Sequence, residues 1–377
     1  FFNNLGGTAL WDPDEPRQAI MAREMIERGD YIHPYLNGAP YLEKPPLYPW
    51  LIIMVSKIKG RVDEFSSRLP AAISATILLF ITYFLGSMLV DKYSGLLSAL
   101  ILATNYQFLS NARESVMDMT FALFIALTIF FNVLAIKGNK RFTFILSFIP
   151  ASLGILTKGP AALAIPALVT FFYLISQKKV KRYLLPFIGG CVLACIISSI
   201  WFLLAGKAYF QEFILRQNIT RYTNAFDHKE SLFYYFHKLF FNFLPWSILL
   251  VFSLYHAFKK KIWLPFIWFT TTFLFYEFSK SKRAIYLLSL YPACALLCGI
   301  YIKDRWSFIV NSWPRFFMWI FGIIITVIPI ASIFSFNLIP PLILNELKKQ
   351  LPIFYVFIAI LSILGAIFCY LVHRKKD

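Results

Sequence analysis

The sequence predicts an all-α, polytopic membrane protein, and three observations carry that prediction. Hydrophobic residues make up 59% of the chain and charged residues only 15%, against about 25% charged in a soluble domain, so most of the surface faces something other than water. Apolar stretches recur at 68–90, 95–112, 116–136, 142–157, 160–176, 183–205, 240–258, 262–278, 284–302, 314–335 and 352–372, near the ~20 residues a helix needs to cross a bilayer. The loops between them sort by charge. One set holds Lys92, Lys137–Arg141, Lys178–Arg182, Lys259–Lys261, Lys303–Arg305 and Arg374–Lys376, with sixteen Lys or Arg against Asp91, Asp304 and Asp377. By the positive-inside rule this set is cytoplasmic. The net charge of +18 therefore reports topology, and nucleic acid is not an expected partner.

The chain opens with FFNNLGGTAL, too short to span. We read it as the end of a first spanning helix whose start is absent, giving about 11–12 spanning helices in all. Next comes a polar loop, 11–67, holding WDPDEPR and YLEKPP. Asp14 followed by Pro16 predicts a helix start with Asp14 as its cap, and Gly29 predicts its end. Ile20, Met21, Met25 and Ile26 lie opposite Arg23, Glu24, Glu27 and Arg28, which predicts an amphipathic helix on the membrane surface. Pro150, Pro160, Pro166 and Pro186 fall within or beside later spans, where membrane helices tolerate them. Cys191, Cys195, Cys294, Cys298 and Cys369 sit in apolar stretches without a CxxC, so they read as helix-packing residues.

The opposite, extracytoplasmic side receives the first loop, the 111–118 turn, the TKGP turn at 157–160, the loop 206–239, the SKSKR turn at 279–283 and the 336–351 connection. The acidic clusters gather there, in what we read as a plasma (inner) membrane protein. Asp14 is a candidate general base or substrate-orienting carboxylate, with Glu15 beside it. Lys44, stiffened by Pro45 and Pro46, is a candidate point-charge ligand for phosphate. Asp118 starts a span, and Lys158 sits at a tight break where an isolated charge tends to face a cavity. Lys280, Lys282 and Arg283 break the charge rule, which points to an anion site, phosphate above all. The loop 206–239 also carries Arg216, Arg221, Asp227, His228 and His237, with His228 a candidate metal or substrate ligand. No GxGxxG or P-loop occurs, so the donor need not be a nucleotide sugar, and a lipid-linked donor fits these charges.

The motifs DPDEPRQAIMAREM, GDYIHPYLNGAPYLEKPPLYPW, ARESVMDM, LTKGP and SKSKRAIYLLSLYPACALL, in that order over most of residues 10–300, resemble the GT-C fold glycosyltransferases that use polyprenyl-phosphate sugars. Within them the chain is most similar to the group of the lipid A aminoarabinose transferase and the protein O-mannosyltransferases. The resemblance implies a GT-C catalytic transmembrane region over 1–305 followed by an extracytoplasmic C-terminal domain; residues 306–377 read instead as C-terminal transmembrane helices without a soluble C-terminal domain, which leaves the acceptor open. It implies Asp14 as the key catalytic carboxylate with Glu15 and Asp118 near it. Arg17, Tyr41 and Lys44 would hold the donor phosphate, and Lys282 with Tyr286 would line the lipid-phosphate site. Glu43 and His228 would bind a divalent metal such as zinc, as in the aminoarabinose branch. The implied reaction is an inverting sugar transfer to lipid A, another glycan or a protein. A transporter or lipid flippase is the rival reading; it predicts internal repeats, and the two halves show no self-similarity. A surface-polysaccharide polymerase or ligase predicts its largest loop late, whereas here it comes first.

Overall fold

A computed structural model describes residues 1–306 apart from 12, 225 and 226. The two last expected spans, the 336–351 connection and Cys369 lie outside the described residues. Residues Phe1–Lys303 form one compact unit, to which all of the following refers.

The polar first loop is a folded cap. Helix α1 runs Asp14–Arg28 and ends at Gly29, whose φ of 67° gives the left-handed closure that glycine adopts without strain. Asp14 does not cap it: Pro13 takes the N-cap place with helical backbone and no side-chain bond, so Asp14 is the first helical residue and its carboxylate is free for other partners. The buried face is Glu15, Gln18, Ala19, Met21, Ala22 and Met25, a stripe at helical spacing. Ile26, expected on that face, is 37% exposed. Strands β1 (Tyr35–Leu36) and β2 (Ala39–Pro40) form a hairpin around Asn37-Gly38, both at positive φ, the backbone an Asn-Gly turn favours. Helix α2 (Leu47–Lys59) follows Pro46, and its Tyr48, Ile52 and Ile53 pack on Ala22 and Met25. Trp50 and Trp201 donate to the carbonyls of Tyr31 and Ile32, and Tyr209 to that of Pro34, which ties the cap to the helices below.

Helix α3 (Glu64–Leu89) starts in a capping box between Asp63 and Ser66. The expected 95–112 span divides into α4 (Lys92–Ala103) and α5 (Tyr106–Asn111), because Asn105 caps α5 and donates to the Asn242 carbonyl. Helix α6 (Met117–Lys137) is intact. The 142–157 stretch divides into α7 (Arg141–Leu146) and α8 (Ile149–Thr157), then come α9 (Ala161–Ser176) and α10 (Val180–Ala205). The loop after α10 is helical: α11 (Lys207–Tyr209), a π-helical stretch Phe210–Thr220, and α12 (Arg221–Thr223). The 240–258 stretch begins earlier, as α13 (Tyr234–Asn242), and bends by 111° before α14 (Ser247–Lys259); Pro245 cannot extend a helical hydrogen-bond ladder. Helix α15 (Trp263–Glu277), a 3-10 turn Ala284–Ser289 and α16 (Tyr291–Asp304) complete the described chain. Among the described residues three helices, α3, α6 and α10, are long and apolar enough to cross a membrane, or four with α13–α14 taken as one bent span.

Small residues let the helices approach. A Cβ on Gly86 of α3 would meet the Gly95 Cα of α4 at 2.7 Å, the close backbone contact that small residues permit in membranes. Inside the bundle, Asn132 of α6 donates to Thr170 of α9 at 3.0 Å and accepts from Ser147. The charge-sorted loops meet at one end of the bundle. Lys303 pairs with Asp91 at 2.8 Å, Lys137 donates to the Met88 carbonyl, Lys179 to Ile136 and Arg182 to Asn139. The other end of α6 carries Asp118, and there the candidate site assembles.

Candidate active site

Two layers of charge meet under the cap. The outer layer is built on Asp14, at the start of α1. Arg17, one turn along, donates to Oδ1 at 3.2 Å, and Arg283, from the turn after α15, donates to Oδ2 at 2.8 Å. All three side chains are a third or more exposed. Burial raises the Asp14 carboxyl, but the Arg283 bond and charge, with Arg17 and Lys158, outweigh it and hold the group below the ordinary carboxylate value. Asp14 is therefore ionised at neutral pH. Tyr41 donates to Glu43 Oε2 at 3.2 Å, and burial and the Glu43 charge push its phenol up while Arg17 pulls it down.

The inner layer lines a cavity of about 300 Å³. Its polar lining includes Lys44, Lys158, Gln217, Arg221, Ser281 and Tyr286, and its apolar lining includes Phe121, Pro160, Ala164, Ile219 and Phe275. Lys158, at the break between α8 and α9, pairs with Asp118 and lies 4.3 Å from the Tyr286 ring centre. Arg221 donates to Asp227 at 2.6 Å and to Ser281 at 3.2 Å. Among the described residues Lys44 makes no ion pair. Its burial, then the Lys158 and Arg221 charges, push its ammonium down to about 8, against the opposing pull of Glu43 and Asp118. A lysine lining a partly apolar cavity, beside two cations that already have carboxylates, is suited to receive an anion. Gly159 permits this arrangement: at φ 128° it passes so near Asn218 that a Cβ would meet Oδ1 at 2.6 Å.

The structure thus brings together Asp14, Arg17 and Arg283 in one layer, and Lys44, Asp118, Lys158 and Tyr286 in the other. It sets the remaining sequence-predicted residues elsewhere. Glu15 is 3% exposed, with both oxygens gripped by Arg68 at 2.8 Å and further bound by the Trp11 and Ser115 amides. Arg68 also donates to the carbonyls of Leu5, Thr8 and Ala9, so this pair ties α1 to α3. Lys282 is buried against Glu277 at 3.0 Å, and Lys280 is exposed. In the turn 279–283 Ser279 and Ser281 line the cavity, while Lys280 and Lys282 are not among its lining residues. Glu43 and His228 are exposed. Among the described residues no group of three or more His, Cys, Asp or Glu comes together that could hold a metal. Sequence reasoning named Arg221 without giving it a role, and it missed Arg68. Arg221 carried the same signal as the SKSKR turn, a cation in a loop outside the basic set; Arg68 was hidden at the start of an apolar run.

The family model for dolichyl-phosphate-mannose-protein mannosyltransferases matches residues 43–202. An uncharacterised protein of Aquifex aeolicus is 31% identical over 95% of this chain and 74% of its own length. The undecaprenyl phosphate-alpha-4-amino-4-deoxy-L-arabinose arabinosyl transferase 2 of Proteus mirabilis is 29% identical over 80% of this chain. The chain belongs to the GT-C glycosyltransferases. Its fold agrees with that of another GT-C protein, ArnT from Cupriavidus metallidurans bound to undecaprenyl phosphate, at a TM-score of 0.79 and 22% identity, covering 100% of this chain and 69% of ArnT. An oligosaccharyltransferase of Archaeoglobus fulgidus is more distant, with a TM-score of 0.52 at 13% identity over 81% of this chain and 49% of that one. This GT-C chain spans 57% of the length of the Proteus transferase.

Proposed function

We propose that this GT-C protein transfers a sugar from a polyprenyl-phosphate donor to an acceptor on the extracytoplasmic face of the plasma (inner) membrane. The observation that carries the reading is Lys44, which makes no ion pair among the described residues and lines a cavity together with Lys158, Arg221 and several apolar side chains. Such a cavity matches a phosphate on a hydrocarbon tail. The relatives named as transferases add weight, and none of the named matches is a transporter.

In this reading an acceptor oxygen attacks the anomeric carbon, and the bond from that carbon to the phosphate oxygen breaks with its electron pair leaving on the phosphate. Lys44, Lys158 and Arg221 stabilise the charge that develops there. A single displacement inverts the anomeric carbon. Asp14, held ionised between Arg17 and Arg283, orients the acceptor and takes its proton where the acceptor is a hydroxyl. The arginines that keep Asp14 ionised also weaken it as a base, which suits an acceptor oxygen that is already negative. Glu15 is a positioning residue for α1. No step runs through a metal at Glu43 and His228. The acceptor is lipid A, another glycan or a protein.

The test is to supply the purified protein with a radiolabelled polyprenyl-phosphate sugar and each acceptor class, following both transfer of label and release of free lipid phosphate. Transfer with matching release supports the reading. Movement of intact donor across proteoliposomes without release would replace it by the flippase.

A further inference from the structure

Lys282 and Glu277 are buried ionisable groups that the proposed chemistry does not use. Both are nearly inaccessible, with side chains 2% and 7% exposed. The Lys282 ammonium donates to Glu277 and to the Ser231 carbonyl, each at 3.0 Å. The same Glu277 oxygen accepts from the Phe233 amide. The Lys282 amide donates to the His228 carbonyl at 3.0 Å, and Lys229 and Ser281 form an antiparallel bridge. Tyr235, fully buried, accepts from the Arg283 amide at 3.2 Å and donates to the Arg283 carbonyl at 3.3 Å. Two chain segments, 227–235 and 279–283, are thereby fixed in register about one ion pair. Each carries part of the site: the first holds Asp227, the partner of Arg221, and the second holds Ser281, which also bonds Arg221, and Arg283, which bonds Asp14.

We propose that Glu277 and Lys282 are positioning residues whose buried pair sets the places of Arg221 and Arg283, and so the affinity of the site for the donor phosphate. The proposal rests on the polyprenyl-phosphate reading above. Stability alone is a poor reason for the pair. An apolar pair of similar volume is often as stable as a buried ion pair, and among the described residues the second, buried Glu277 oxygen has no hydrogen-bond partner, which costs energy. What an apolar pair could not supply are the bonds to Ser231 and Phe233 that fix the register.

That difference gives the experiment. Binding of undecaprenyl phosphate is measured for wild type and for the double variant Glu277→Leu/Lys282→Met, together with the thermal midpoint of each. The expected result is a midpoint near that of wild type with affinity weakened about tenfold or more, the scale of one misplaced charged hydrogen bond. A double variant that binds as tightly as wild type overturns the proposal. If the double variant does not fold, Lys282→Arg replaces it: the charge stays but the fork geometry differs, so a folded protein with severalfold weaker binding is expected, and unchanged affinity overturns the proposal. Failure of wild type to bind undecaprenyl phosphate at all overturns the donor reading itself, which distinguishes the two.

Discussion

Asp14 and Glu15 are neighbours on the first turn of one helix, yet helical geometry points them at different partners. Glu15 faces inward to Arg68, and removing it leaves a buried guanidinium without its counter-charge. Glu15→Ala is expected to cost about 3–5 kcal/mol, read as a lowered unfolding midpoint. Lys44 gives a pH prediction. Its folded value of about 8 lies below the 10.5 of a free lysine, so the ammonium is present below pH 8 and lost above it. Affinity for a lipid phosphate should fall between pH 7 and pH 9, and Lys44→Gln should bind weakly and without that fall. The stability term has the opposite sense: the folded chain binds fewer protons than the unfolded one between about 8 and 10.5, so this group's contribution rises with pH through that window. Lys44, Lys158 and Arg283 were legible in the sequence for different reasons: Lys44 stands beside two stiffening prolines, Lys158 at a tight break between apolar runs, and Arg283 where the charge rule expects no cation. Lys282 carried the same signal as Arg283 but is buried against Glu277, a partner that residue type alone does not reveal.

The elements were legible where an apolar run had nothing to interrupt it, as in α3, α6, α9 and α10. The runs at 95–112 and 142–157 looked continuous but divide in the fold. At Asn105 the cause is a polar side chain with two partners, one of them 137 residues away, and such a partner is invisible to local hydropathy. The contact between α3 and α4 rests on glycines, which hydropathy also ignores. Gly95→Val would drive a side chain toward the Tyr83 carbonyl, which a Cβ alone would meet at 2.4 Å. It is expected to reduce the yield of folded protein and lower the unfolding midpoint, while substitution at the outward-facing Leu96 should not.

At the scale of the whole molecule, one end of the bundle holds the basic loops and the other the carboxylate-containing site, and the ion pairs of each end join helices distant in sequence. The positive-inside reading then predicts that Lys140→Cys is labelled by a membrane-impermeant maleimide only from the cytoplasmic side, and Glu27→Cys only from the other. The opposite labelling would invert the topology. The account's central claim is that the two layers have separate tasks, the inner binding the donor phosphate and Asp14 acting on the acceptor. Asp14→Asn tests it most directly, measured as donor affinity and as turnover of a polyprenyl-phosphate sugar. The account predicts turnover reduced by about 10²-fold or more, with donor affinity kept or tightened, because the variant removes a negative charge from between two arginines. Turnover equal to wild type, or a loss confined to donor affinity, would contradict it.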